Sequence, residues 1–378
     1  MFQGLAFNPF TLPPEAEALR ADVRKFLAES LDPASLPNSD FNAGDSSEFS
    51  KALGKRGWIG MTWPKQYGGQ DKSFLERYVV TEELLAAGAP VGCHWIADRQ
   101  TGPLLLKFGT EEQRKEFLPK IASGNCYFSI GMSEPNTGSD LASIKSMAKK
   151  VEGGWLLNGS KIWTSYAHTN HFMVALVRTE LASENRHAGM SQVIVDLQDK
   201  NVTVSGIKNL SGEEDFNQVF FDDVFIPDDR VVGQPGNGWE QVISELGYER
   251  SGPERFLSAF RVLVEYSKEL AEGASDDQYS ILGRLTAHLI TLRRMSISVA
   301  GMLESGETPI TEAALIKDVG NAYERLVPEV VRLSQTRNPS ARFLDTLSQC
   351  ILHAPSFTLR GGTREILKGV IARGLGLR

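Results

Sequence analysis

Gly131-Met132-Ser133-Glu134-Pro135-Asn136-Thr137-Gly138-Ser139-Asp140 sets small hydroxyl residues, two glycines and a turn-forming Pro-Asn directly after the apolar run 126–130. Bulky side chains are absent and glycine tolerates strained dihedrals, so backbone N–H groups and short hydroxyls can approach a flat polar ligand closely there. Alone, such a stretch is an ordinary strand-to-loop connection. Its company changes the reading. Asn158-Gly159-Ser160-Lys161-Ile162-Trp163-Thr164-Ser165 reads as a tight turn followed by an aromatic and two hydroxyls.

Outward from this centre the periodicity differs on each side. Before residue 125 it is helical: 15–31 sets Ala18, Leu19, Val23, Phe26 and Leu27 on one stripe, and 76–87 does so with Tyr78, Val79, Leu84 and Leu85. Thr110 ahead of Glu111-Glu112-Gln113 predicts a capped helix start, its acids favourable to the dipole. The segments 154–158, 171–178, 191–197, 202–206 and 218–225 are short β-branched or aromatic runs separated by turns. Regular short strands without intervening helices predict an antiparallel barrel or sandwich, not a Rossmann fold. Past Gly238 helical spacing returns, in Leu282, Leu285, Leu289, Leu292 and Met295 and again in Ala313, Leu315, Ile316 and Val319. The expected class is α+β: an N-terminal helical domain over 1–125, a middle antiparallel β-domain over 126–236 and a C-terminal helical bundle over 237–378.

With 378 residues the chain can bury large cores in two or three domains. A net charge of −7 argues against nucleic acid or an anionic membrane as the main partner. No apolar stretch reaches bilayer length, and Met1-Phe2-Gln3-Gly4 lacks a basic region followed by an apolar one, so a cytoplasmic enzyme is expected. Cys93, Cys126 and Cys350 are too few and too scattered for a disulfide framework or a zinc site; buried thiols and no metal are expected.

A set of motifs in order gives the chain a family resemblance over nearly its whole length. Gly57-Trp58-Ile59-Gly60-Met61-Thr62-Trp63-Pro64 with Tyr67-Gly68-Gly69 comes first, then the two central segments quoted above. Phe221-Asp222-Asp223-Val224-Phe225-Ile226-Pro227 with Gly233 and Gly236-Asn237-Gly238 follows, and Gly361-Gly362-Thr363-Arg364-Glu365-Ile366 closes the set. Together they resemble the acyl-CoA dehydrogenases, flavoenzymes that place a double bond beside an acyl thioester. The resemblance implies FAD as cofactor, an acyl-CoA substrate and an electron-transferring flavoprotein as acceptor. It carries Met132, Ser133, Gly138 and Ser139 over to the isoalloxazine and its ribityl chain. Trp163 and Ser165 match positions lining the ring's other face, and Thr363 and Glu365 match cofactor contacts near the C-terminus. A buried core tryptophan is the structural alternative for Trp163.

The family's chemistry needs a carboxylate to take the α-proton and donors to polarise the thioester carbonyl. Many members keep the carboxylate at the position of Gly361, which has no side chain. A subset keeps it on the first helix of the C-terminal domain, immediately before an arginine, where this chain has Tyr248-Glu249-Arg250-Ser251. The resemblance therefore implies Glu249 as base, Arg250 as an orienting neighbour, and the Gly361 N–H as donor to the thioester oxygen. A solvated glutamate paired with Arg250 or Arg255 is the structural alternative.

Homotetrameric relatives complete a neighbour's flavin site with an Arg-Phe-Gly and a Gln-x-x-Gly-Gly segment. The linker Gly273-Ala274-Ser275-Asp276-Asp277-Gln278 has no Phe-Gly, and its acids would repel a pyrophosphate; 334–357 has no Gly-Gly pair. That pattern resembles the base-bearing subunit of heteromeric bacterial steroid and branched-chain acyl-CoA dehydrogenases, with a second, unlike subunit completing the FAD site and a bulky, branched or steroid side-chain acyl group as substrate. A non-catalytic structural subunit and a flavin monooxygenase on the same scaffold are the competing functions.

Overall fold

The computed structural model describes residues 5–39, 44–181, 184–270, 274–334 and 338–377, with the backbone alone at 245–249. The expected α+β class is what the chain adopts: helical regions at both ends and a curled β-sheet between them. It forms two compact units, one of residues 1–44, 72–90 and 247–378, the other of 45–71 and 91–246. Among the described residues no helix is long and apolar enough to cross a membrane.

In the first unit, α1 (Pro14–Ser30) opens on a proline with Glu15 and Glu17 in its first turn and buries Ala16, Val23, Phe26 and Leu27. Ala18 was expected on that stripe but is exposed. The intervals from 16 to 23 and 27 fit the helical repeat, so Ala16 takes the inward place. α3 (Phe74–Ala86) starts in a capping box of Ser73 and Glu76 and buries nearly every side. Its inward acids are paired: Glu76 with Lys72, Glu82 with Arg293 and Glu83 with Arg24.

Ser275 and Gln278 box the start of α9 (Asp276–Glu304), so Asp276 and Asp277 complement a helix dipole. α10 (Ile310–Leu333) turns Ala313, Ile316, Lys317, Gly320 and Val327 inward, while Val319, expected inward, is exposed. Gly320 is required by packing, since a Cβ there would lie 2.1 Å from Arg255 O. α8 (Phe260–Glu269), α11 (Ala341–His353) and α12 (Arg364–Gly374) complete the bundle around α9 and α10.

The second unit begins with α2 (Ser47–Lys55) and α4 (Gly92–Ile96), which continues through a π-helical turn at Ala97–Thr101 into α5 (Gly102–Phe108). α6 (Glu111–Ala122) has the predicted cap, with Thr110 and Gln113 satisfying one another's orphan N–H groups. His94 of α4 is buried, its Nδ1 2.8 Å from Ser50 Oγ, and burial pulls it down to about 4.

Among the described residues seven strands follow: β1 (Phe128–Gly131), β2 (Met147–Val151), β3 (Gly154–Ser165), β4 (Phe172–Arg178), β5 (Met190–Asp196), β6 (Val202–Ile207) and β7 (Phe216–Pro227). Their order is β1-β4-β2-β3-β7-β6, with β5 paired to β4. Four of the pairs are antiparallel, but β1 and β2 both run parallel to β4, so the sheet is mixed and not the antiparallel one expected. Trp155, Leu157, Val177, Val193, Val195 and Val219 fill the core beneath. The turn expected at Asn158-Gly159 is absent, because β3 passes straight through it. The register shift there falls on β7, where Asp222 and Asp223, the latter at φ +51°, oppose Asn158 alone; Gly159, at φ +137°, is required by packing, since a Cβ there would meet Ser146 Oγ at 2.5 Å. The three cysteines are buried, as expected.

Candidate active site

The segment singled out by sequence leaves the end of β1 and folds into a tight turn. Glu134 N–H donates to Thr137 O at 2.8 Å, and Thr137 N–H returns to Glu134 O at 2.9 Å. Ile162 N–H, from β3, donates to Ser133 O at 2.9 Å. Beneath the turn lies a buried ion pair absent from the sequence expectations. Lys161 Nζ, on a wholly inaccessible side chain, sits 2.8 Å from Glu134 Oε1 and donates to Met132 O at 3.2 Å. Glu134 also accepts from Lys145 N–H at 2.7 Å and Ser146 N–H at 2.9 Å. Burial pushes Lys161 down to about 8 against the pull of Glu134. Burial would lift the Glu134 carboxyl, but the Lys161 charge and the two N–H groups hold it below its ordinary value.

The far end of the segment is fixed by a second buried cation. Arg178 donates to Ala142 O at 2.7 Å and to Ile144 O, Arg186 O and Ala188 O at 3.1 Å each. These bonds join 142–144 to 186–188, where His187 stacks on Trp239 with ring centroids 4.2 Å apart.

Between the two anchors, no hydrogen bond among the described residues uses the N–H of Ser133, Gly138 or Ser139. A Cβ at Gly138 would meet nothing within 4 Å, so packing inside the chain does not demand a glycine there. Trp163 sits where β3 slips register against β7, at φ +58° and 58% exposed, its edge toward Phe216. It is not a core tryptophan. A bulky residue in the left-handed region carries backbone strain of the kind that collects at functional sites. Ser165, two residues on, ends β3, and its carbonyl accepts from Ser129 Oγ at 2.7 Å.

α7 (Gly238–Glu249) begins in this unit and only from Gly247 belongs to the other, where it ends at the candidate base, whose side chain lies outside the described residues. Arg250 follows, buried, and a Cβ at Gly362 would stand 3.5 Å from its Nη2. Gly361 and Gly362 adopt φ of +64° and +96°, a path only glycine takes without strain. Lys317, fully buried on α10, donates from Nζ to Gly362 O at 2.8 Å. Asn321, its amide oriented to satisfy both neighbours, accepts from Lys317 at 3.2 Å and donates to Phe357 O at 2.9 Å. Thr363 leads into α12 in extended backbone, and Arg364 grips Asp318 at 2.7 Å. Glu365 is exposed in the first turn, its carboxyl held below the usual range by its own N–H and by Thr363. Met132, Ser133, Gly138, Ser139, Trp163 and Ser165 thus share one unit, and Glu249, Arg250, Gly361, Thr363 and Glu365 fall in the other.

Residues 13–125 match the N-terminal domain of acyl-CoA dehydrogenases and residues 129–224 the middle domain. The acyl-CoA dehydrogenase IpdE1 of Mycobacterium tuberculosis is 32% identical over 96% of this chain and 98% of its own. A chain of the Tcur3481-Tcur3483 steroid ACAD superposes with a TM-score of 0.85 at 29% identity, over 97% of this chain and 99% of that one. One from the ChsE4-ChsE5 complex of Mycobacterium tuberculosis gives 0.82 at 26%, over 98% and 99%. The chain belongs to the acyl-CoA dehydrogenase family, oxidoreductases acting on CH–CH groups. Members of the family are flavoproteins that bind FAD. The residues present fit a flat, polar group: three N–H groups with no partner among the described residues, a glycine with open space over it and an exposed indole.

Proposed function

We propose that this chain carries the α-proton base of an FAD-dependent acyl-CoA dehydrogenase, and that Glu249 is that base. FAD, when bound, supplies at N5 the acceptor for the hydride leaving the β-carbon. The Glu249 carboxylate takes the α-proton while donors at the thioester oxygen stabilise the charge developing there. Gly361 N–H is one such donor, in a type of contact worth on the order of 3 kcal/mol. Arg250 orients the surrounding polar groups. Met132, Ser133, Gly138, Ser139, Trp163 and Ser165 hold the ring and its ribityl chain, with Thr363 and Glu365 as further contacts.

The observation that carries this reading is in the C-terminal loop. Gly361 has no side chain to act as base, yet the residue directly after Glu249 reaches the adjoining Gly362. The end of α7 therefore meets the loop where other members keep their carboxylate.

Two further features support a second, unlike subunit that completes the FAD site. The similar solved chains include members of complexes titled with two components. Leu326, Leu333, Leu344, Ile351, Leu352 and Leu359 are exposed along α10, α11 and the segment after them, apolar surface of the kind that marks an interface. The steroid in one of those titles favours a bulky or steroid side-chain acyl group. Electrons then pass to an electron-transferring flavoprotein, in the cytoplasm.

Glu249→Gln, assayed in the co-expressed complex with an acyl-CoA and an artificial electron acceptor, should slow turnover by roughly 10²- to 10⁴-fold with FAD content retained. Unchanged turnover would leave the chain without a chemical role. Stoichiometric FAD in the chain expressed alone would remove the shared site.

A further inference from the structure

Resting on the FAD reading above, we infer that Lys161 and Glu134 are positioning residues for the cofactor: their buried ion pair fixes the main-chain path of residues 132–139 so that the N–H groups of Ser133, Gly138 and Ser139 stay turned toward the ligand.

The pair is poorly explained as a device for stability. A lysine with no solvent contact gives up its hydration, and an apolar side chain of similar size at such a site is often neutral or better for the fold. What an apolar residue could not do is hold Met132 O and the Glu134 carboxylate together, at 3.2 and 2.8 Å. Through Glu134 the same contact reaches the N–H groups of Lys145 and Ser146, so one ammonium ties both flanks of the turn together.

The lysine stem also lies against the strand end, since a Cβ at Gly131 would come 3.1 Å from Lys161 Cγ and 2.7 Å from Met173 Sδ. From 131 to 139 the backbone has no left-handed residue that would dictate its path, so side-chain anchoring sets it. Arg178 grips carbonyls at 142 and 144 and makes no hydrogen bond to 132–139. It does not duplicate the role.

The test uses the co-expressed complex with Lys161→Met, Glu134→Gln and the double variant, each freed of cofactor and titrated with FAD by fluorescence quenching. Amide hydrogen exchange is followed on the cofactor-free protein. Lys161→Met should weaken FAD roughly tenfold to hundredfold and raise exchange within 133–139, at the hydrogen-bonded Glu134 and Thr137 amides, leaving β4 and β5 at wild-type protection. The double variant removes both charges at nearly constant volume, so it carries the test where Lys161→Met fails to fold. It should regain the wild-type melting temperature without regaining FAD affinity.

Wild-type FAD affinity in the double variant, or unaltered exchange at 133–139, would reduce the pair to a structural element and overturn the inference. A wild-type complex that binds no FAD would instead break the cofactor reading, and the exchange pattern would still decide the positioning role.

Discussion

At residues 131–139 the loop brings its own carboxylate to a buried lysine, whereas at 361–363 the loop offers a buried lysine the carbonyl of Gly362. The first loop has no left-handed residue, and the second turns on two left-handed glycines. Each belongs to a different compact unit, and each has an ammonium beneath it. The difference lies in where the shape is stored: in a charge pair for one, in the absence of Cβ atoms for the other. Different substitutions should therefore break them.

The largest expected effect on stability is on the charge pair. Lys161→Met strands Glu134 in the interior, and removing one partner of a buried pair costs about 3–5 kcal/mol, read as a shift in the urea midpoint. Acid should also weaken the unit that holds this loop. His94 is pulled from 6.5 to about 4, so between those values the unfolded chain binds a proton that the folded one refuses. Stability is lost as pH falls from 6.5 to 4, by roughly 3 kcal/mol at 1.36 kcal/mol per pH unit. His94→Gln should flatten that slope. Glu134, held below its ordinary value, adds a second loss at still lower pH.

The glycine loop should answer to methyl groups. Gly362→Ala meets Arg250 at an ordinary 3.5 Å, so its penalty is the left-handed backbone alone, about 1–2 kcal/mol by thermal melting. Gly138→Ala sharpens the contrast: with open space and an unstrained φ, stability should move by no more than about 0.5 kcal/mol while FAD affinity falls. A large loss of stability there would mean that Gly138 serves the fold and not a ligand.

The helical ends and most strands are legible in the sequence: α1 buries one stripe, β7 alternates, and β4 and β5 are continuous apolar runs buried on both faces. Errors came where a single residue changed the local geometry. Asn158-Gly159 carries the signature of a hairpin turn, but β3 runs through it to Ser165, and its glycine leaves room for Ser146. β2 has no signal in the sequence, because Lys149, Lys150 and Val151 show no inward apolar alternation; Ala148 alone is fully buried. Residues 131–140 stand out as a motif, yet the ion pair beneath them does not, since Glu134 and Lys161 lie far apart in sequence. A signal did exist: Lys161 falls in phase with the core-facing Trp155 and Leu157, and a lysine at such a position needs an acid. The linker acids Asp276 and Asp277 looked repulsive to a pyrophosphate, while the fold uses them to start α9.

The backbone slip at Trp163 leaves one indole in water while the chain's other tryptophans are buried or half-buried. Its emission should lie to the red of theirs and be the first quenched by any aromatic guest settling at that face. The protein thus contains its own optical reporter, and occupancy can be followed by light without attaching a dye.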